Sequence, residues 1–502
     1  MDELSTHAGE TLDLTALSDA TLGALFKTIS VPDYDRAALS PGIVHIGLGN
    51  FHRAHQAWYL HRLMQAGKAL DWAIIGAGVR AADSAQRDRL LAQDCLTTLI
   101  ELDPKGMSAE VCGAMIDFLP VQPDNAALIA QMADPAIRIV ALTVTEGGYF
   151  VDAASGGFDT AHADIQHDAA NPQTPRTAFG AMIEALRLRR AAGTGPFTAQ
   201  SCDNLQGNGA ILRQTLVSLA ALSDPDLAAW IDANCTFPNA MVDCIVPATG
   251  PSELALARSF GINDAAPVTH ENFRQWVMED NFCAGRPPWE DAGVTLTDRV
   301  HDYEAQKIQI LNGGHQMIST PAEILGLETI ADAMAHPLIS AFMRKVVTDE
   351  VAPHVDPVPG LSPLDYLDLV ARRFANPKIR DTTRRVAFDG SSRQPGFIVP
   401  SIRSAIAHAT SVNGLALVSA LWARYCEGTR EDGSTVAPND PHWDRLNASA
   451  KLAKITPLAW LEQRQFYGDL ADNTPFAAAF ADWLNALHTI GVEATLRRYL
   501  DA

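Results

Sequence analysis

Short apolar runs alternate with helical stretches over roughly the first 295 residues, and this pattern constrains the fold more than any other feature of the chain. Residues 43–46 predict a strand that is followed by a helix over 51–66, and residues 72–75 predict a second strand that is followed by a helix over 82–93. Later apolar runs of the same kind lie at 139–144, 197–202 and 240–246, with helical crossovers at 177–192 and 209–222. Such runs are typical of strands that are buried on both faces of a parallel sheet. We therefore predict an α/β fold with a doubly wound sheet.

The pattern changes after about residue 295, where strand-like runs become rare. Ala- and Leu-rich segments with helical spacing lie at 303–312, 336–350, 362–375, 401–425 and 475–500. A chain of 502 residues is long enough for two to three domains. We predict a doubly wound domain over 1–295, whose first 40 residues form a short helix and an extended lead-in, and a mostly helical domain over 296–502. The Gly-, Pro- and Asp-rich stretch 427–441 predicts an exposed loop.

Composition and charge exclude several classes of protein. The formal net charge of −21 disfavours contact with phosphate backbones, so we expect no nucleic-acid partner. The N-terminus carries acids where a signal peptide carries Lys or Arg, and no apolar run is long enough to span a membrane. The seven cysteines are scattered and include no CxxC, which argues against a disulfide framework and a zinc ribbon. The sequence therefore predicts a protein of the reduced cytoplasm.

A glycine-rich turn follows the first predicted strand. It reads Gly47-Leu-Gly49-Asn50-Phe51-His52 and leads into a predicted helix. In this setting a dinucleotide pyrophosphate lies against backbone N–H groups, and glycine lets the backbone approach the phosphates. His52 stands where the third glycine of the usual motif would be, so a tight turn without a ligand fits the pattern equally well.

A second turn of the same kind follows the next predicted strand. Gly76-Ala-Gly78-Val-Arg80-Ala fits the spacing of the dinucleotide motif better than the first turn does. The two turns lie at the carboxyl ends of successive strands, so both can line one cofactor groove of a Rossmann-type domain. Asp83 follows the second turn. A carboxylate there can bind the adenosine ribose and repel the 2′-phosphate of NADP, although an acid at a helix start is also favoured by the helix dipole.

Four polar side chains in the stretch 303–316 recur at helical spacing: Glu304, Lys307, Asn312 and His315. On an α-helix they occupy less than half of the circumference. They can face one cleft, although an ordinary solvated helix face has the same pattern. A lysine with a lowered pKa can remove the proton of an alcohol, and asparagine amides can stabilise the developing alkoxide. Asn204 ends another predicted strand, where active sites of open α/β sheets collect.

Two other chemistries match fragments of this pattern. Tyr303 and Lys307 have the spacing of the short-chain dehydrogenase pair, but that family is much shorter and carries the pair near the middle of one domain. His52, His55 and His61 lie on one predicted helix, yet no HExxH motif or cysteine cluster accompanies them. We therefore predict that the protein binds no metal.

Six segments give the chain a resemblance to the mannitol dehydrogenase family, the long-chain polyol dehydrogenases. They are IVHIGLGNFHRAHQAWY at 43–59, TVTEGGYF at 143–150, SCDNLQGNG at 201–209, FPNAMVDCIVP at 237–247, YEAQKIQILNGGHQ at 303–316, and 385–400 with its DGSSR. The Lys-x4-Asn-x2-His pattern beside a GxGxFHRAH turn is highly specific to this family. The resemblance covers nearly the whole chain and implies a Rossmann-type domain, a helical domain and a site between them.

The resemblance also implies roles for individual residues. Lys307 resembles the general base of the family, Asn204 and Asn312 resemble its oxyanion pair, and Glu304 resembles a gate for proton release from the lysine. Four further positions resemble residues of the substrate pocket: His315, Asp243, Arg385 and Arg393.

The cofactor implied by the resemblance is NAD, held by the two glycine turns and Asp83. Some relatives carry a second acid where this chain has Ala82, so the preference over NADP is expected to be less strict. The implied reaction interconverts a polyol and a ketose, first of all D-mannitol and D-fructose. Oxidation of D-arabinitol or D-sorbitol and reduction of fructuronate or tagaturonate remain alternatives. Many members of the family are monomers, and we expect a monomer here, with a small oligomer as the alternative.

Overall fold

The computed structural model describes residues 14–25, 29–152 and 156–502. The chain divides into two compact units, Met1–Val300 and His301–Ala502. Part of the lead-in predicted for the first 40 residues lies outside the described residues, and a short helix, Leu22–Leu25, is present in the remainder. None of the helices in these ranges is long and apolar enough to cross a membrane.

All strands of the described ranges belong to the first unit. They are β1 Thr15–Ala16, β2 Pro41–Ile46, β3 Ala73–Ala77, β4 Thr97–Asp103, β5 Gly106–Cys112, β6 Met115–Phe118, β7 Ile139–Leu142, β8 Thr198–Ser201, β9 Ala240–Asp243, β10 Ile262–Asn263, β11 Val268–Glu271, β12 Gln275–Met278 and β13 Thr295–Leu296. The largest sheet has five parallel strands in the order β6-β3-β2-β7-β8. Two three-stranded sheets, β11-β4-β5 and β13-β12-β9, and the pair β1-β10 complete the unit.

Both faces of the five-stranded sheet are covered. Ile43 of β2 and Ile139 of β7 point into one hydrophobic core, while their neighbours Val44 and Val140 point into another. Because successive side chains of a strand point to opposite faces, a strand between two such cores is buried on both sides and is largely apolar. The predicted doubly wound parallel sheet is confirmed.

Several strands of this unit differ from the sequence prediction. The run 240–246 forms β9, which pairs antiparallel with β12 in a separate sheet instead of joining the parallel one. A strand that is buried on both faces has the same apolar pattern in either sheet, so the sequence could not distinguish them. The antiparallel pair β4 and β5 and the edge strand β6 of the parallel sheet were not predicted.

The helices of the first unit are α1 Leu22–Leu25, α2 Asn50–Ala54, α3 Gln56–Gln65, α4 Asp83–Leu91, α5 Ala126–Ala133, α6 Ala163–Ala170, α7 Ala178–Ala192, α8 Asn208–Ser223, α9 Pro225–Asn234 and α10 Pro251–Ser259. The helix predicted over 51–66 is divided at His55, whose backbone leaves the helical region (φ −120°, ψ −88°). The His55 imidazole lies 2.9 Å from the carbonyl oxygen of Gln275, a contact outside the helix.

The second unit is helical, and residues 301–502, all of which are described, contain no strand. Its helices are α11 Val300–Gln306, α12 Gly313–Leu325, α13 Ile330–Ala335, α14 Pro337–Val346, α15 Pro363–Phe374, α16 Thr383–Ala387, α17 Gly390–Arg393, α18 Val399–Ala407, α19 Asn413–Tyr425, α20 Trp443–Ala453, α21 Arg464–Tyr467 and α22 Thr474–Leu500. Three π-helical segments join helices end to end: Lys307–Asn312, Val347–Val351 and Gln394–Ile398. Short 3₁₀ helices occur in both units. In the first unit they are Asp19–Thr21, Arg36–Ala38, Glu146–Tyr149 and Trp289–Ala292, and in the second unit Ala352–His354, Pro457–Trp460 and Gly468–Asp472.

Helix α19 is the centre of the second unit, and residues 414–425 are all buried. The carboxylate of Glu350, itself 2% exposed, accepts hydrogen bonds from the backbone N–H groups of Gly414 and Leu415 at 2.8 Å each and from the Ser411 hydroxyl at 2.7 Å. A buried negative charge thus satisfies N–H donors at the positive end of this helix.

We expect Glu350→Gln to destabilise the second unit by about 2–3 kcal/mol, because hydrogen bonds to a charged group are replaced by weaker ones and one N–H would face an amide NH₂. Thermal unfolding measured by circular dichroism checks this. Asp349→Asn is the control, since Asp349 is an exposed partner of Lys345 and its loss should change stability by less than about 0.5 kcal/mol. Equal losses in the two variants would contradict the capping role of Glu350.

Candidate active site

The two glycine turns lie side by side in the first unit. Strands β2 and β3 are parallel neighbours, with His45 opposite Gly76, and the N–H of Gly47 donates to the carbonyl oxygen of Ala77 at 2.9 Å. The loops after both strands therefore emerge at the same edge of the sheet. This edge is the one at which open α/β sheets bind their ligands.

Gly47 and Gly49 have different reasons to be glycine. Gly47 has φ +94°, and a Cβ there would clash with the carbonyl oxygen of Thr143, so no other residue fits. At Gly49 a Cβ would meet no atom within 4 Å. A glycine beside open space leaves the backbone accessible, which suits close approach of a phosphate.

The second turn is held by its own aspartate. Oδ2 of Asp83 accepts hydrogen bonds from the backbone N–H groups of Val79 at 3.1 Å and Arg80 at 3.0 Å. A Cβ on Gly78 would overlap with the Asp83 side chain, so glycine is required for this contact. The other carboxylate oxygen lies 3.4 Å from the exposed guanidinium of Arg80.

The three residues after Gly49 point away from the turn to different extents. The Asn50 amide donates to the carbonyl oxygen of Pro247 at 2.9 Å, and Phe51 stacks on His55. His52 is 1% exposed and stacks on His45 with ring centroids 3.4 Å apart. The His52 imidazole is therefore a core group, and only its backbone faces the turn.

The loop that carries Asn204 is anchored by its neighbour Asp203. Buried Asp203 accepts hydrogen bonds from the backbone N–H groups of Val144 at 3.0 Å and Thr145 at 2.9 Å, and from the Tyr149 hydroxyl at 2.6 Å. This carboxylate joins the loops after β7 and β8, while Asn204 itself is exposed. Burial, followed by the charge of Asp203, holds the pKa of Tyr149 well above its usual value, so Tyr149 stays a hydrogen-bond donor. The sequence analysis missed Asp203, whose partners are more than 50 residues away.

Asp243 ends β9 and is 5% exposed. It lies opposite Gln275 in the antiparallel ladder between β9 and β12. The substrate-pocket residue implied by the sequence thus lies at the end of a strand of the smaller sheet.

In the second unit, the predicted α-helix over 303–312 is a π-helix from Lys307 to Asn312, in which the Gly313 N–H donates to the carbonyl oxygen of Ile308. An α-helix would place Asn312 140° away from Lys307, because each residue advances by 100°. An i→i+5 turn contains more residues than an α-helical one, so each residue advances by less and the angle between residues five apart is smaller. The π-helix therefore turns Asn312 toward the face of Lys307. Apolar spacing cannot reveal such a turn.

Glu304 lies one turn before Lys307 and is 3% exposed. Its Oε2 is 2.7 Å from Nδ1 of His301, whose side chain is 58% exposed. His301 was not among the predicted site residues. A buried carboxylate thus connects the helix face of Lys307 with an imidazole at the surface.

Two polar atoms near Lys307 are buried and have no hydrogen-bond partner among the described residues, Nδ2 of Asn312 and Nε2 of His315. The His315 ring stacks on Phe374 with centroids 3.9 Å apart. Burial lowers the pKa of His315 to about 3, so the imidazole is neutral at physiological pH. An unpartnered buried donor or acceptor is costly and marks a place where a polar ligand can bind.

Besides burial, charged side chains act on His315: Asp381 raises its pKa, whereas Arg385, Arg373 and Arg393 lower it. Arg385 forms a bidentate ion pair with Asp381, which is 6% exposed. Arg393 donates to the carbonyl oxygen of Val386 at 2.6 Å. Asp381 and Arg373 were not predicted as parts of this cluster, because nothing in the sequence marks them.

Within the described ranges, no group of three or more His, Cys, Asp or Glu side chains could hold a metal ion.

Comparisons with known proteins match both units. Residues 41–291 match the Mannitol dehydrogenase Rossmann domain, and residues 299–488 match the Mannitol dehydrogenase C-terminal domain. The chain is 58% identical over 476 residues to mannitol 2-dehydrogenase of Cereibacter sphaeroides, covering 95% of this chain and 100% of that protein.

Two solved structures are similar along nearly the full length. A ternary complex of Pseudomonas fluorescens mannitol 2-dehydrogenase with NAD and D-mannitol matches with a TM-score of 0.89 and 41% identity, covering 97% of this chain and all of that one. A substrate-free D-sorbitol dehydrogenase matches with a TM-score of 0.88 and 36% identity over 96% of this chain and 100% of that one. The chain belongs to the mannitol dehydrogenase family.

Proposed function

We propose that the protein is an NAD-dependent oxidoreductase that interconverts D-mannitol and D-fructose. The family, the 58% identical mannitol 2-dehydrogenase and the similar complex with NAD and D-mannitol support this reaction. The observation in the chain itself that supports it best is the π-helix, which brings the amide of Asn312 toward the face of buried Lys307. A base and an oxyanion donor on one helix face suit proton removal from an alcohol.

The cofactor is held by the edge of the sheet where the two glycine turns meet. The open backbone at Gly49 fits a pyrophosphate, and the carboxylate of Asp83 fits the adenosine ribose. Around these, Gly47, Gly76 and Gly78 provide the close packing of both turns, with Asn50, Phe51, His52 and Arg80 beside them. Bound NAD supplies the hydride acceptor.

The proton chemistry centres on Lys307. Lys307 takes the hydroxyl proton from the carbinol, while the amides of Asn312 and Asn204 donate hydrogen bonds to the oxygen as negative charge develops there. Glu304, one helical turn away, receives the proton from Lys307 so that the base is restored. Neutral His315 and Arg385 bind the other hydroxyl groups of the substrate, and Asp243 and Arg393 complete the set of polar contacts.

The domain boundary, the cellular compartment and the oligomeric state are part of the same proposal. We place the end of the cofactor domain at residue 295 and the catalytic domain over 296–502. The protein acts as a monomer in the cytoplasm, where thiols stay reduced. All seven cysteines are free, which supports this setting.

Absorbance at 340 nm with NAD and a panel of polyols tests this function. We expect D-mannitol to have the highest kcat/KM, with D-arabinitol and D-sorbitol below it, and fructose to be reduced with NADH. Prolonged chelation before the assay should leave the rate unchanged. Faster reduction of fructuronate or tagaturonate than of fructose would contradict the proposal.

The cofactor preference is tested best with Asp83→Asn, because the amide oxygen can still accept from Val79 and Arg80 and keep the turn intact. Removing the charge should raise the ratio of NADP to NAD kcat/KM by about tenfold or more, since a charge-assisted contact is worth on the order of 1.5–3 kcal/mol. Asp88→Asn changes an exposed acid of the same helix and should leave the ratio unaltered. An unchanged ratio in Asp83→Asn would show that Asp83 serves only the turn.

The alternative substrates fructuronate and tagaturonate carry a carboxylate, and Arg385 and Arg393 are the residues that could bind it. The charge of Arg385 is already balanced by Asp381, and Arg393 donates to a backbone carbonyl. A paired guanidinium still donates hydrogen bonds to a hydroxyl, but it attracts a carboxylate less strongly than a free one. The pairing therefore favours the neutral polyol.

We expect Asp381→Asn to shift the ratio of fructuronate to fructose kcat/KM toward fructuronate by about tenfold, because the net charge at Arg385 becomes positive. Oxidation of NADH with each ketose measures the ratio. Glu328→Gln is the matched control, since Glu328 pairs with exposed Arg380 in the same unit. Loss of both activities in equal proportion would mean that Asp381 only supports the fold.

A further inference from the structure

Asp203, the residue before Asn204, binds both ends of the turn that follows β7. Its Oδ1 accepts the backbone N–H of Thr145 at 2.9 Å. Its Oδ2 accepts the Tyr149 hydroxyl at 2.6 Å and the backbone N–H of Val144 at 3.0 Å. Because Thr145 begins the turn and Tyr149 ends it, one buried carboxylate closes the turn and holds it against the loop of Asn204.

Thr145 has a strained backbone conformation. Its φ of +70° and ψ of 161° lie outside the regions open to most L-residues, and positive φ is especially unfavourable for a β-branched side chain. Such residues persist only where their surroundings fix them, and they cluster at functional sites. The hydrogen bond from the Thr145 N–H to Asp203 therefore stabilises a strained turn at the edge of the sheet where we place the cofactor.

The residue before this turn contacts the first glycine turn. The Thr143 hydroxyl donates to the carbonyl oxygen of Gly47 and lies 2.9 Å from Nε2 of His45. Residues 143–145 thus contact the glycine turn through one side chain and Asp203 through two backbone N–H groups. The loop of Asn204 is connected in this way to the turn that we assign to the cofactor.

A second buried side chain fixes the loop of Asn204 from its other end. The Asn208 amide donates to the carbonyl oxygen of Asp203 at 3.1 Å and to that of Ala240 at 2.7 Å. Its Oδ1 accepts the N–H of Ala240 at 2.9 Å. Ala240 is the first residue of β9, and Asp243 is the last. The loop is therefore tied to the β7 turn by one anchor and to β9 by the other.

The network requires a side chain at position 203 that only accepts hydrogen bonds. The three groups that face the Asp203 carboxylate, two N–H groups and a hydroxyl, all donate to it. An asparagine has one acceptor oxygen and one NH₂ group, so at least one of these donors would face another donor. Asp203→Asn thus keeps the volume of the side chain and breaks part of the anchor.

We propose that Asp203 is a positioning residue for Asn204, the amide to which we assign a hydrogen bond to the developing oxyanion. Asp203 and Asn208 are buried, whereas Asn204 between them is exposed, so the anchors on either side fix the backbone that carries the amide. The amide can then meet the carbinol oxygen without a search for its position. This role rests on the proposed function, because it requires that Asn204 acts on the alcohol.

The kcat of Asp203→Asn with saturating NAD and mannitol tests this role in the full-length protein. We expect a loss of about 10- to 100-fold, because a misplacement on the order of 1 Å is enough to cost that much. Tyr149→Phe removes only one donor and should lower kcat less; it replaces Asp203→Asn if circular dichroism shows that variant unfolded. A wild-type kcat in the variant that folds would overturn the proposal.

Asp168→Asn is the matched control. Asp168 is 3% exposed and accepts the N–H groups of Arg176 at 2.7 Å and Thr177 at 3.0 Å, and the Thr177 hydroxyl at 2.7 Å. Like Asp203, it binds two successive N–H groups and one hydroxyl, but it joins α6 to the start of α7, neither of which carries a proposed site residue. This variant should lose stability and keep the wild-type kcat. Equal losses of kcat in both variants would overturn the proposal.

A double-mutant cycle with Asn204→Ala separates positioning from a general effect on the fold. Asn204→Ala alone should lower kcat by on the order of 10²–10³. Once the amide is gone its position no longer matters, so adding Asp203→Asn should lower kcat little further. Effects that multiply would show that Asp203 acts independently of Asn204 and would overturn the proposal. A wild-type kcat in Asn204→Ala would instead contradict the proposed role of Asn204 itself, and the proposal with it.

Discussion

Strand β2 pairs in parallel with both β3 and β7, and this pairing determines at which edge of the sheet the loops after the three strands lie. Because the three strands end at the same edge, their loops emerge together, and the N–H of Gly47 bonds the carbonyl oxygen of Ala77 across β2 and β3. The same edge continues to β8, whose following loop carries Asn204 and is tied to the β7 loop by Asp203. One sheet thus fixes the positions of the two glycine turns and of the loop that carries Asn204.

A different backbone constraint shapes the second unit. The i→i+5 hydrogen bond from Gly313 to Ile308 changes the rotation of the helix between Lys307 and Asn312. π-helical turns are rare, and those within α-helices are frequently found at functional sites. Here the turn brings Asn312 toward the face of Lys307, the two residues to which we assign the oxyanion donor and the base.

Much of this could be predicted from the sequence, and the exceptions have physical causes. Four of the five strands of the parallel sheet, β2, β3, β7 and β8, were predictable because short, largely apolar runs mark strands that are buried on both faces. The edge strand β6, whose run Met115–Phe118 contains Asp117, was not predicted. The antiparallel setting of β9 was not, since burial on both faces gives the same pattern in either sheet. The π-helix was hidden because apolar spacing does not distinguish i→i+4 from i→i+5 bonding. Asp203 and Asp381 went unrecognised because a carboxylate's partners are set by the fold, and nothing in their local sequence marks them.

The central claim is that Lys307 is the general base of polyol oxidation, and the pH dependence of Lys307→Ala tests it most directly. The wild-type kcat/KM for mannitol should rise with one ionisation to a plateau, and neutral His315, with a pKa of about 3, cannot supply that ionisation. Lys307→Ala should bind NADH normally, lose the ionisation and about 10²–10⁴ of the rate, and recover part of it with small primary amines. Oxidation of mannitol by Lys307→Ala at close to the wild-type rate would contradict the account.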